Sequence, residues 1–184
     1  MGTDTEDFRG ALKMVLRQDP DEMRDAETVW AAMAAAETGH LVLSSLHTVN
    51  ATEIVNRILD LFPTGQHSQV RSTLAAALQG IVSQRLLPLA DGHRQIPTVE
   101  VLVGTRRVFD RIVDPERTHQ LENVMVEGEY YGMRTFDRDV VRLWRDGVIT
   151  RKTAIGAATH SHDVGLAIDH EAAAQSAEQQ PQLG

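Results

Sequence analysis

Cysteine is absent from this 184-residue chain. Disulfide scaffolds, cysteine-ligated zinc and thiol catalysis are thereby excluded. Aromatic residues make up only 4% of the sequence, so a core must rest on Leu, Val, Ile, Ala and Met. No apolar run approaches the roughly 18–20 residues that a membrane-spanning helix needs. The opening MGTDTEDFRG is polar and acidic, unlike a secretory signal, and a cytoplasmic address is the expectation. A basic balance is missing too: the formal net charge is −8 and the isoelectric point about 5.4. That argues against general binding of nucleic acid or anionic membrane, though a local basic patch stays open. Hydrophobic residues are 42% of the total, enough for a core, and the length fits one domain plus a tail.

Periodicity lays out the elements. Phe8, Leu12, Val15 and Leu16 recur at helical spacing, with Thr5 or Asp7 able to cap the start. This helix stops at Asp19-Pro20, because the residue before a proline avoids the helical region. A second helix is expected over about Ala26–Thr38, with Asp25 as its N-cap and Gly39 just past its end. HLVLSSL, His40–Leu46, is short and apolar and reads as a buried strand. Asn50 with Glu53 three residues later starts the next helix, whose apolar stripe is Ile54, Ile58, Leu59 and Phe62. Another helix is expected over about Gln66–Gln79. IVSQRLLP reads as a second strand, Asp91-Gly92 as a turn, and TVEVLVG as a third strand. From Thr105 onward the chain reads as helical: Thr105–Val113, about Glu116–Glu127, Thr135–Arg145, and two short helices beyond Thr150. Low-complexity sequence follows. The alternation implies an α/β layer structure. Three strands make a narrow sheet, which suggests that part of the layer is missing.

Three polar clusters could carry chemistry. Asp21-Glu22-Met23-Arg24-Asp25 lies between two helices and could hold Mg²⁺ through carboxylate oxygens or orient a water. The plainer reading is a capping cluster, with Asp25 as cap and Arg24 paired to a neighbour. His40 and His47 bracket the first strand. Their seven-residue separation points them to opposite faces of an extended strand, so a shared metal is not expected unless the chain bends near Ser45. A histidine just past a strand's C-terminal end suits a ligand site in an α/β sheet, and His47 fits that description. Ser83-Gln84-Arg85 is the third cluster. A His/Asp metal hydrolase is a weaker idea, because zinc needs three or four convergent ligands and no such set stands out.

The run LRQDPD…EMRDAETVWAAMAAAETGHLVLSSLHTVNATEIVNRILDLFP…QVRSTLAAALQGIVSQRLL resembles the type II/IV secretion and pilus motor ATPases, most closely those that retract pili in twitching motility. The likeness continues through GHRQIPTVEVLVGT and GMRTFDRDVVRLWRDGVIT and matches the family's C-terminal portion. It implies an α/β fold: a truncated RecA-like P-loop core over residues 1–104, a C-terminal helical region over 105–168, and a disordered tail over 169–184. It also implies a hexameric ring that hydrolyses ATP with Mg²⁺. Such a ring works in the cytoplasm, peripheral to the inner-membrane pilus machinery and its platform protein, with no nucleic-acid partner.

The resemblance implies roles residue by residue. Glu22 matches the catalytic glutamate at the end of the Walker B strand, which orients and deprotonates the attacking water. Arg24 matches the arginine that couples nucleotide to the subunit boundary. His40 and His47 match the two histidines of the His box, and with Thr48 they form the nucleotide-sensing group; His47 would sense the γ-phosphate. Gln84 and Arg85 match a strand end close to the nucleotide.

Two family features are missing. No G-x-x-x-x-G-K-[ST] occurs, and the sole Lys-Thr pair, Lys152-Thr153, follows no glycine-rich loop. The family places that loop upstream, so the chain is expected to start downstream of it. The apolar run between DPD and the catalytic glutamate is missing as well, since Asp21 is followed directly by Glu22. Either residues are omitted at that junction or the chain is a degenerate product. The alternative to a motor is therefore a truncated, non-catalytic module that binds a ring or a full-length subunit.

Overall fold

The computed structural model describes residues 25–178, and within 175–178 the backbone alone. The expected helix around Phe8–Leu16 lies outside the described residues. The chain divides into two compact units: residues up to Ile81 with Val103–Val124, and Val82–Leu102 with Met125 onward.

In the first unit, helix α1 spans Ala26–Glu37. It starts where expected, because the Asp25 carboxylate accepts from the Thr28 N–H at 2.8 Å and satisfies a donor that the helix itself cannot. It ends at Gly39, whose φ of +90° is costly for any other residue. The Gly39 and His40 N–H groups donate back to Ala36 O and Ala35 O, which closes the last turn. Val29, Ala32, Met33 and Ala35 form its buried face. Helix α2, Ala51–Asp60, is capped by Asn50, which accepts from the Glu53 N–H at 2.9 Å. A short 3₁₀ turn, Thr64–Gln66, leads to α3, His67–Ala77. Phe62 meets Trp30 edge-on at 5.7 Å between ring centroids. Helix α4, Arg106–Val113, follows its cap Thr105 and buries Val108 and Ile112. Arg71 of α3 donates to Ile112 O and to Thr118 Oγ1, both at 2.8 Å. That guanidinium satisfies a carbonyl at the end of α4 and fixes the 3₁₀ segment Pro115–Gln120.

Strands β1, Gly80–Pro88, and β2, Gln95–Val103, form a two-stranded hairpin. Its tip is closed by Leu89 N–H donating to Arg94 O and by Gly92 at a φ of +73°. Gly104 packs its Cα so close to the Leu78 carbonyl that a side chain there has no room.

The expected strand at His40–Leu46 does not form. The segment has no regular secondary structure and joins no ladder among the described residues. A strand is defined by a partner, and none reaches this one there. Leu41 and Leu43 consequently stand 75% and 80% exposed.

In the second unit, α5, Leu121–Glu127, runs in from the first, and a 3₁₀ turn at Glu129–Tyr131 follows. Helices α6, Phe136–Arg145, α7, Arg151–Ala157, and α8, Ser161–Glu178, pack on one another. Leu87, Val140, Val141, Leu143, Ile149, Ala154, Val164 and Ile168 are their shared core. Each of the larger ones contributes roughly 1.5–3 kcal/mol by leaving water. Helix α8 continues through Glu178, into the stretch read as a tail. Asp139, fully buried, ties α6 to β2: it accepts from Thr98 Oγ1 and Val99 N–H, each at 2.9 Å, and from Arg134 and Arg142 at 2.9–3.0 Å.

Candidate functional site

Glu22 and Arg24, the expected catalytic pair, lie outside the described residues. Of the acidic knot only Asp25 is described, and there the plain reading holds. Its carboxyl is held below the ordinary carboxylate range by the Thr28 backbone N–H, with smaller help from the Thr28 hydroxyl. It is a helix cap.

His40 sits at the end of α1. Its Nδ1 lies 3.0 Å from Thr38 Oγ1 and 3.2 Å from Ala35 O. Thr38 Oγ1 also donates to Ala35 O at 2.8 Å. The imidazole is therefore anchored on the carbonyl end of a helix. The chain then runs without regular structure to His47, which is exposed to solvent.

The neighbourhood of His47 is different. Thr48 N–H donates to Leu46 O at 3.1 Å, turning the chain sharply before Asn50 caps α2. His47 and Thr48 thus precede a helix N-terminus, where N–H groups and the dipole favour an anion. Thr48 Oγ1 is buried without a hydrogen-bond partner among the described residues. A buried hydroxyl left in that state costs about 1–3 kcal/mol. The segment thus sets His47 and Thr48 just ahead of the Asn50 cap of α2.

Gln84 and Arg85 are adjacent on β1, and strand alternation sends them to opposite faces. Gln84 is exposed. Arg85 is half-buried within the second unit, its guanidinium 3.9 Å above the Phe136 ring and donating to Ala157 O at 3.0 Å. These contacts join β1 to α6 and to the end of α7. The sequence reading did not single out Asp139. Its signal was the flanking Arg134 and Arg142, the second one turn of helix away, although such spacing is equally common among solvated pairs.

Residues 2–140 match the family described as Type II/IV secretion system protein. The twitching motility protein of Neisseria gonorrhoeae is 39% identical over 164 residues, which is 86% of this chain and 44% of that protein. The type IV pilus ATPase PilU of Pseudomonas aeruginosa is 40% identical over 173 residues, 91% of this chain and 45% of its own length. Among solved structures, the pilus retraction motor PilT with bound ADP is 38% identical at a TM-score of 0.68, covering 88% of this chain and 46% of that one. The Legionella pneumophila ATPase DotB shares the fold at a TM-score of 0.64 and 23% identity, over 80% of this chain and 40% of its own. The chain spans about half the length of the curated relatives it matches. Matched by the family over most of its length and by these relatives across its helices and hairpin, the chain belongs to the Type II/IV secretion system protein family.

Proposed function

We propose that this protein serves as the C-terminal portion of a pilus-retraction motor ATPase of the PilT type, built on a RecA-like core. The observation that carries the reading is the match, along 88% of the chain, to a retraction motor solved with ADP. In this reading Glu22 is the general base that takes a proton from the attacking water, and Arg24 couples the nucleotide to the neighbouring subunit. His47 and Thr48, at the start of α2, donate to the γ-phosphate and report its presence. His40, anchored on Ala35 O and Thr38, fixes the other end of the segment that leads to His47. Gln84 and Arg85 hold the hairpin in the nucleotide's vicinity, Arg85 through its contacts to Phe136 and Ala157.

ATP with Mg²⁺ is the implied ligand, and the residues present fit half of the task. The unsatisfied Thr48 hydroxyl beside a helix start suits sensing of a terminal phosphate. The β/γ-phosphate cradle and its lysine have no counterpart in the sequence. Mg²⁺, when bound, neutralises charge on the leaving phosphates. The motor works as a homo-hexamer, or alongside full-length PilT-type subunits, on the cytoplasmic side of an inner-membrane platform protein. No helix among the described residues is long and apolar enough to cross a membrane.

The test is ATP turnover by rings assembled from full-length PilT-type subunits together with this chain. Wild-type chain raises turnover above that of the subunits alone, and Glu22→Gln and His47→Ala each remove the increment. Co-assembly in which both variants behave as wild type overturns the catalytic reading in favour of a non-catalytic ring module. Calorimetric titration of the isolated chain with ATP·Mg²⁺ gives weak binding only, because most of the electrostatic stabilisation comes from the missing cradle. Micromolar affinity there contradicts the assignment of phosphate binding to a loop outside this sequence.

A further inference from the structure

We draw no further inference here: the strongest candidate, the groove of about 590 Å³ between α6 and α8 with Met133, Val141 and Val164 in its floor, carries nothing because its arginines are already engaged by this chain's own carboxylates, its walls bear as many acids as bases, and nothing in the structure shows what covers it.

Discussion

Asp139 is a fully buried carboxylate that holds α6 to β2 through four partners. Burial pushes its carboxyl toward the neutral form, but the Val99 N–H, Arg142 and the Thr98 hydroxyl together outweigh that and hold it below the ordinary carboxylate range. A carboxyl depressed in the folded state stabilises the fold at any pH above its unfolded value, and that contribution is lost as pH falls through the folded value. Acidification below about pH 4 is therefore expected to lower the urea midpoint of the wild type. In Asp139→Asn the midpoint is lower at neutral pH and its fall on acidification is shallower. Asp139→Ala takes the acceptor from the buried Thr98 hydroxyl and the Val99 N–H and costs about 1–3 kcal/mol, while Arg134 and Arg142, each more than 40% exposed, turn to water. Equilibrium urea unfolding at pH 7 and pH 3 reads both effects, and a neutral-pH midpoint unchanged in either variant contradicts this account. Gly104 makes a second prediction at the same scale. Its Cβ would collide with the Leu78 backbone carbonyl, so Gly104→Ala forces a backbone shift costing about 1–3 kcal/mol, visible as a lower Tm.

Elements were legible in the sequence where a local rule settles them. Asp25 and Asn50 cap helices as read, and Gly39 ends α1, because a cap depends on a few residues that are contiguous in the chain. Asn50→Ala is expected to cost about 1 kcal/mol, measured by thermal unfolding, with Asn50→Asp close to wild type. The hairpin was legible from alternation and from Asp91-Gly92. What alternation could not say was which face of β1 would be covered, and a one-residue choice sends Gln84 to solvent and Arg85 onto Phe136. The Asp139 network was illegible for the opposite reason. Thr98 and Asp139 are 41 residues apart, and nothing local links them. His40–Leu46 marks the other limit: an apolar run states that a segment could pair, whereas pairing depends on a partner strand elsewhere. At the candidate site, the sequence placed His47 and Thr48 before a helix but could not reveal that the Thr48 hydroxyl is buried and unsatisfied.

At the scale of the whole molecule, each unit has its own helical core, and the segment after α1 carries exposed leucines. Leu41 and Leu43 are 75% and 80% exposed, on a segment with no ladder among the described residues. Exposed extended apolar sequence offers unpaired N–H and C=O groups together with a hydrophobic strip, the combination that drives edge-to-edge association. The isolated chain is expected to self-associate as its concentration rises, and a Leu41→Lys, Leu43→Lys double variant to do so much less, since charge on an unpaired strand opposes pairing. The Tm of that variant at low concentration stays within about 1 °C of wild type, because side chains this exposed contribute little to either core. Sedimentation velocity across a concentration series, with a melt at the lowest concentration, separates the two effects. Equal self-association of both proteins shows that this segment does not drive it and overturns the account, and a large fall in Tm shows that the leucines belong to a core.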